Sequence, residues 1–277
     1  MARALSNREM DSVVVFAANP SAFSTSETNH GVEAAARKRR FLLNIVSLDE
    51  SDMDSVKARV RMGLSIRPAG VIVYEYDRAG IAALEYIPKD MPMVVVGGSF
   101  GDGEYQVINA ERDGGRWMTM HLLDLGHRTV FHVGRPEGPT DNTRTNGWRD
   151  ALKERGVTAP DPIIVPDDDL EESVKAGRTL GRRGDVTAIF AGNDETAIAV
   201  IRGLREVGRR VPADVSVVGF DDRNFGAMWN PALTSYTQNF LDMGERSFRM
   251  LFEQIQAKRA GDDAPPSQVE VVQGLSL

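Results

Sequence analysis

No cysteine occurs among the 277 residues, so the sequence has neither disulfide bridges nor thiolate ligands for a metal. It also has no apolar run approaching the ~20 residues that a membrane-spanning helix needs. The amino terminus lacks the apolar core of a secretory signal. These absences predict a cytoplasmic protein that does not act at a membrane.

The glycine-rich loops that cradle phosphate groups are missing as well. No GxGxxG follows the first strand-like run, GxxxxGK[ST] occurs nowhere, and no serine stands in GxSxG. The acidic run at 167–169, followed by Glu171 and Glu172, fits a cation site less well than a solvated loop before a helix. The histidines show no metal-ligand spacing, and each is expected to be structural: His30, His121, His127 and His132. The sequence therefore predicts no cofactor, no metal and no catalytic residues.

The net charge of −7 argues against nucleic-acid binding by these residues alone, because DNA affinity depends mainly on Lys and Arg contacts to phosphate. Basic clusters do occur, at 37–40, 182–183 and 209–210. Each lies at the end of a helix-like segment, where the helix dipole favours positive charge. We interpret these clusters as solvated helix termini.

What the sequence does contain is an alternation of short Val- and Ile-rich runs with longer helical patterns. The runs at 13–18, 71–76, 187–192 and 215–220 are apolar on both faces, as in parallel sheets covered by helices. The pattern after 193 predicts a helix over 194–207, with Asn193 or Asp194 as its cap and Gly208 at its end. Similarly, Asp113 and Gly126 are expected to bound the helix over 114–125. Roughly ten strands predict a doubly wound α/β protein with two lobes.

Polar and aromatic residues follow several of these runs, at the strand ends where open α/β sheets bind ligands. They are Asn19, Phe23, Ser24, Tyr74, Glu75, Asn193, Asp194, Asp221 and Asp222, with Arg144 just before a helix expected from Asn146. Aromatic faces together with Arg, Asn and Asp side chains suit a polyhydroxylated ligand. For each Asp or Asn the alternative is helix capping, and for Asn193 the two interpretations stay open.

Four segments carry a resemblance to a known family. They are AIFAGNDETAIAVIRGLREVGRRVPADVSVVGFDD (188–222), LLDLGHRTVFHVG (122–134), RTNGW (144–148) and NPALTSYTQNF (230–240). In order and spacing they resemble the lactose-repressor (LacI/GalR) family of bacterial transcription regulators. The resemblance covers nearly the whole chain.

The resemblance implies a periplasmic-binding-protein-like (type I) α/β fold, with two doubly wound parallel-sheet lobes joined by three crossovers. The crossovers are expected near 109–111, 236–239 and 261–266. The N-terminal lobe then comprises 13–110 with 239–263, and the C-terminal lobe 111–238 with 264–277. Residues 1–12 are expected to be a hinge-helix remnant or linker.

It also implies which side chains contact the effector. Arg144 would grip hydroxyls or a carboxylate, Asn193 and Asp221 would form the polar pair of the C-terminal lobe, and Gln238 would lie in a crossover. The remaining implied effector residues are Ala22, Phe23, Ser24, Tyr74 and Thr140. The sequence departs from the family pattern at Gly97, Asn109-Ala110 and Glu75, which argues against a simple sugar like those of well-known members.

The opening segment Ala2-Arg3-Ala4-Leu5 resembles the end of the family's hinge helix, at the expected distance from Val13. Leu5 would then be the residue that enters the minor groove of operator DNA. The alternative is native or vector sequence that matches by coincidence.

The function implied is the effector-sensing and dimerisation core of a LacI-type regulator. A small polar molecule, such as a sugar or sugar derivative, would bind in the interlobe cleft and change operator affinity. The expected partners are this effector, a second copy of the chain, and operator DNA through a headpiece outside the sequence. The rival functions are a sugar transporter's solute-binding protein and an enzyme, such as a sugar hydrolase, that uses the cleft carboxylates.

Overall fold

The computed structural model describes residues 11–49, 51–97, 105–137, 140–166 and 169–274. The hinge-like segment with Leu5 lies outside these residues. Within them the chain divides into two compact units. The first contains residues up to Asn109 and Asn239–Val272, and the second contains Ala110–Gln238 and the residues from Gln273 onward.

The described elements alternate between strand and helix along most of the chain. In chain order they are β1 (Ser12–Ala17), α1 (Phe23–Lys38), β2 (Leu42–Ser47), α2 (Met53–Ser65), β3 (Gly70–Tyr74), α3 (Arg78–Leu84), β4 (Met93–Val96), β5 (Gln106–Asn109), α4 (Glu111–Asp124), β6 (Phe131–Gly134), α5 (Arg144–Glu154), β7 (Ile163–Ile164), α6 (Leu170–Gly181), β8 (Ala188–Ala191), α7 (Asp194–Glu206), β9 (Ser216–Phe220), α8 (Asn224–Met228), β10 (Thr234–Tyr236), α9 (Phe240–Ala260) and β11 (Val269–Val272).

The first unit has a six-stranded sheet in the order β11-β5-β4-β3-β1-β2, and its paired strands are parallel. Alternate residues of β1 enter different core clusters, so both faces of the sheet are covered. Val13 and Val15 pack with residues of α1 and α9, whereas Val14 and Phe16 pack with residues of α2 and α3. This double burial explains why these strands contain apolar residues without polar alternation.

The second unit has a five-stranded sheet in the order β10-β9-β8-β6-β7, again with parallel pairing. Trp148 and Phe190 belong to the cluster that includes residues of α4 and α5. Ile189 and Val200 belong to the cluster that includes residues of α6 and α7. The chain is therefore an α/β protein with two parallel sheets, each carrying helices on both faces.

The third chain crossing lies later than the sequence predicted. Strand β11 pairs with β5 in the first sheet, and Val272 is buried there, so the chain leaves the first unit after Val272 and not at 261–266. Glu270 also binds Arg246 and Arg249 of α9. Residues 264–272 thus belong to the first unit. Ala110 belongs to the second unit, since it directly precedes α4.

Two helix starts also differ from expectation. Arg144 is the first residue of α5, not a residue before it, because Thr143 caps the helix through the amide nitrogen of Asn146. Helix α4 begins at Glu111, which places Asp113 inside the first turn and not at the cap. Among the described residues, no helix has both the length and the apolar composition that crossing a bilayer requires.

Candidate functional site

Arg144 lies at the start of α5 and is 3% exposed. Two observations explain its fixed position. The backbone of Arg144 lies so close to α4 that a Cβ on Gly115 would come within 2.3 Å of its carbonyl oxygen. The next residue, Thr145, contacts the buried ring of His132 through a hydrogen bond of 3.0 Å. The backbone carrying the guanidinium is therefore held on two sides.

The guanidinium of Arg144 has three acceptors. Its Nη1 donates to the carbonyl oxygen of Gly192 at 2.5 Å, and its Nη2 donates to Glu111 at 3.1 Å and to Asp221 at 3.0 Å. Burial disfavours the charged form, but the carboxylates of Asp221 and Glu111 outweigh burial and raise the pKa of Arg144. The ring of Phe220 lies 4.1 Å from the guanidinium carbon. The buried Nε has no hydrogen-bond partner in the described part of the chain.

Asp221 joins two predicted residues, since its Oδ1 accepts from both Arg144 and Gln238, the latter at 2.8 Å. It follows β9 and has a φ of 93°, in the left-handed region that non-glycine residues rarely occupy. Asp222 has a φ of 50°. We call Glu111, Arg144, Asp221 and Gln238 the Arg144 cluster; all four belong to the second unit.

Asn193 caps α7, because its Oδ1 accepts from the amide nitrogen of Thr196 at 2.8 Å. The sequence left two roles open for Asn193, helix cap and effector contact, and the structure shows the helix cap. The preceding Gly192 supplies a carbonyl to Arg144, so Asn193 directly follows a residue that contacts the cluster. A contact between the Asn193 side chain and an effector stays a prediction.

Asp194 is fully buried. Its carboxylate accepts from the hydroxyl of Ser235 at 2.6 Å and from the backbone amide of Arg223 at 2.6 Å. Burial raises the pKa of Asp194 to about 6, against the lowering effect of these two hydrogen bonds. A carboxylate shielded this way holds backbone in place and does not face solvent.

The predicted residues of the first unit lie at or near the carboxyl ends of β1 and β3. Ala22 occupies the N-cap position of α1, and Ser24 is partly buried in its first turn. Phe23 packs edge-to-face on Phe240, with ring centres 5.8 Å apart. Phe23 therefore has a packing role in the first unit, and effector contacts by these three residues stay predictions.

Tyr74 differs from the expectation of an effector-facing side chain. It is 1% exposed, and its hydroxyl donates to Asn29 at 2.7 Å. Burial raises its pKa well above the usual value of tyrosine. We therefore interpret Tyr74 as a core residue whose polar atom is already satisfied.

Thr140 lies on the loop before Arg144, and its hydroxyl oxygen accepts from the amide nitrogen of Asn142 at 3.1 Å.

Asp169, at the end of the acidic run, caps α6 through the amide of Glu172, while residues 167 and 168 lie outside the described ranges. Over the described ranges, no group of three or more His, Asp or Glu side chains is arranged to hold a metal ion.

Sequence reasoning missed two members of the site, Glu111 and the carbonyl of Gly192. Glu111 reads as an ordinary acidic residue in a helix first turn, and a backbone carbonyl leaves no signal in a residue pattern. The signal available was the position of Glu111 at the first predicted crossover. Chemically, the Arg144 cluster offers carboxylate and amide groups beside a fixed cation, which can bind hydroxyl and amino groups.

Comparison with protein families shows that residues 119–276 match the model described as a periplasmic binding protein-like domain. The chain is 30% identical to the HTH-type transcriptional repressor PurR of Yersinia enterocolitica, over 98% of the chain and 80% of that protein. It is also 30% identical to the protein of the same name from Proteus mirabilis, over 97% of the chain and 80% of that protein.

Solved structures of the same fold include the transcriptional regulator CelR in complex with cellobiose. That structure superposes with a TM-score of 0.80 at 26% identity, over 97% of this chain and 84% of the other. The lac repressor dimer bound to operator and the anti-inducer ONPF has a TM-score of 0.79 at 23% identity, over 99% and 96% of the two chains. The second likeness bears on the fold alone.

Proposed function

Because the chain belongs to the periplasmic-binding-protein-like family and, within it, to the LacI-type transcriptional regulators, we propose that it senses a small polar effector through the Arg144 cluster. The relatives are transcriptional repressors, so the protein is a regulator and not an enzyme. The two PurR relatives favour a transcription regulator over the solute-binding protein of a transporter.

The observation that carries the proposal is the convergence of Arg144, Asp221 and Gln238 at the carboxyl ends of the second sheet. Removing the charges of Arg144 and Asp221 from water costs free energy, so core stability alone does not explain this arrangement. Such groups are typical of sites that bind polar molecules. The cellobiose complex of the 26% identical regulator supports a sugar or sugar derivative as the class of effector. Binding in an interlobe cleft remains the expectation from the sequence.

We propose further that the protein is a homodimer. The first unit exposes apolar side chains on β2, an edge strand, and at the end of α2, which packs against β2. They are Leu42, Ile45, Met62 and Ile66. Large apolar side chains that a domain leaves exposed mark interaction surfaces, and two-fold self-association is the commonest way to cover them.

In this proposal the effector binds two arrangements of the dimer unequally, and the difference changes operator affinity. Operator contact occurs through a DNA-binding headpiece that is not among the described residues, and the working compartment is the cytoplasm. The direction of the response, induction or co-repression, follows from which arrangement the effector favours.

The experiment is a thermal-shift screen of the chain against sugars, sugar phosphates, nucleosides and small acids. We expect a ligand that raises the melting temperature of the wild type by several degrees, consistent with ~3 kcal/mol of linkage at a hundredfold excess over Kd. Asp221→Asn should abolish that shift, because it removes a charge from the effector-facing cluster while keeping the Oδ1 acceptor.

Asp222→Asn is the matched control, since Asp222 is the exposed neighbour and its carboxylate bonds Thr237 outside the cluster. It should retain the ligand-induced shift. A ligand that stabilises the wild type and Asp221→Asn equally would show that the effector binds elsewhere.

A further inference from the structure

The loop after β9 has backbone φ angles that residues other than glycine rarely adopt. Asp221 and Asp222 both have left-handed φ values, 93° and 50°, although neither is glycine. Two consecutive residues in this region persist only when surrounding contacts hold them. The loop matters for the site because it aims the Asp221 carboxylate at Arg144 and Gln238.

The contacts that hold the loop converge on one buried carboxylate. Oδ2 of Asp194 accepts the backbone N–H of Arg223 at 2.6 Å, and Oδ1 accepts the hydroxyl of Ser235 at 2.6 Å. The same Ser235 oxygen accepts the backbone N–H of Asp222 at 3.0 Å. Asp194 thus fixes the amide of Arg223 directly and the amide of Asp222 through Ser235.

The carboxylate of Asp194 is also packed closely against the backbone of β9. A Cβ on Gly219 of β9 would lie 2.2 Å from Oδ1 of Asp194, so the strand backbone is pressed against the carboxylate. Asp194 itself is fully buried. The Arg223 amide and the Ser235 hydroxyl therefore lose their acceptor if the Asp194 carboxylate is removed, and the buried carboxylate loses its donors if they are removed.

We propose that Asp194 is a positioning residue of the effector site, whose ionised carboxylate holds the backbone of Asp222 and Arg223 so that Asp221 faces Arg144 and Gln238. The inference rests on the proposed function in one respect, namely that the Arg144 cluster is where the effector binds. The holding role itself needs no effector.

The proposal carries a pH dependence. The charged groups on the elements packed around Asp194 are Asp221, Asp222 and Arg223 of the loop and Glu195 of α7, and Arg223 pairs with Glu195. Burial, with smaller contributions from Asp221 and Glu195, places the pKa of Asp194 at about 6. Protonation puts a hydrogen on one oxygen and weakens the charge-assisted bonds that both oxygens accept. The loop should therefore loosen as the pH falls through about 6.

The test follows the loop by ¹⁵N NMR and amide hydrogen exchange in the ligand-free 277-residue chain between pH 4.5 and 7.5. The reporters are the backbone amides of Asp222 and Arg223 and the side-chain amide of Gln238, which bonds Asp221 directly. In the wild type we expect all three to titrate together with a midpoint near pH 6. In Asp194→Asn the titration should disappear, and both backbone amides should exchange about tenfold faster or more at pH 7.5.

Two further variants separate positioning from a general charge effect. Glu195→Gln removes a negative charge on the same turn of α7, and its bond is to the Arg223 side chain and not to the loop backbone, so the titration should remain. Ser235→Ala removes the partner of the Asp222 amide and one hydrogen bond to Asp194, whereas the bond from the Arg223 amide to Asp194 stays, so exchange should accelerate much more at Asp222 than at Arg223. If Asp194→Asn does not fold, Ser235→Ala and the wild-type titration still decide the question.

Wild-type signals that stay flat across this pH range would overturn the proposal. So would a Glu195→Gln protein that behaves like Asp194→Asn. A normal loop titration combined with a failed effector screen would instead contradict the proposed function and leave the positioning role intact.

Discussion

His132 is a buried histidine whose two ring nitrogens both have partners. Nδ1 contacts the carbonyl of Phe190 at 2.9 Å, and Nε2 contacts the hydroxyl of Thr145 at 3.0 Å. The ring stacks on Phe190 with centres 4.8 Å apart. A structural role for this histidine was predicted, but its place directly behind the first turn of α5 was not, because no local pattern links residue 132 to residue 145.

We expect His132 to make the fold sensitive to acid. Burial lowers its pKa in the folded state to about 4, from about 6.5 in the unfolded chain. The folded state therefore binds fewer protons than the unfolded state between these values, and stability falls as pH decreases from 6.5 toward 4. From pH 6.5 to 4.5 the loss attributable to His132 is about 2 to 3 kcal/mol. Urea unfolding at both pH values, in wild type and His132→Gln, measures it.

The variant should lose most of this pH dependence, because glutamine does not titrate. His127→Gln is the control, since His127 is partly exposed and burial lowers its pKa less strongly. Asp194 acts in the opposite direction, because its raised pKa costs stability as pH rises, so only the difference between wild type and variant isolates His132. Equal pH slopes in wild type and His132→Gln would contradict the assignment.

At the scale of single elements, apolar periodicity predicted long helices and most strands, but it did not predict short or close-packed elements. Helices α3 and α8 have seven and five residues, too few for a full apolar stripe. Helix α5 packs on α4 through glycines, and a Cβ on Gly147 would lie 1.9 Å from the carbonyl oxygen of Arg112. That contact places Arg144 one turn away, so helix packing decides the geometry of the site.

Gly147→Ala should therefore destabilise the protein, although alanine is the better helix former. We expect a loss of about 3 kcal/mol in the free energy of unfolding, because α4 and α5 must move apart. Gly184→Ala is the matched control, as nothing lies within 4 Å of its added Cβ, and it should be neutral within ~0.5 kcal/mol. Urea denaturation compares the two. A neutral Gly147→Ala would mean that the helices approach each other less closely.

At the scale of the whole molecule, each unit has its own sheet and core, and the first unit exposes four large apolar side chains on β2 and at the end of α2, namely Leu42, Ile45, Met62 and Ile66. These side chains belong to elements that the sequence predicted, but their exposure was not visible in the pattern. Leu42 and Ile45 belong to the apolar run LLNIV, which resembles the buried strands in composition. They are exposed because β2 is the edge strand.

Ile45→Lys or Met62→Lys should weaken the proposed dimer about tenfold or more, because a charge would enter its apolar core. Sedimentation velocity at micromolar protein should then show a shift toward monomer. Leu125→Lys is the control, since Leu125 is 63% exposed, compared with 46% for Ile45, but lies in the second unit. A dimer that survives both first-unit substitutions and dissociates with Leu125→Lys would relocate the interface.

The sequence by itself determined the class of fold and the family, because Val- and Ile-rich strands covered on two faces and a long ordered motif are local properties of the chain. The tertiary structure alone decided that Tyr74 is buried and that β11 completes the first sheet. It also decided the partners of Arg144, which lie 33 residues before it at Glu111 and 77 residues after it at Asp221. Contacts over such separations depend on how strands are ordered in the sheet, and strand order is not encoded in any short stretch of residues.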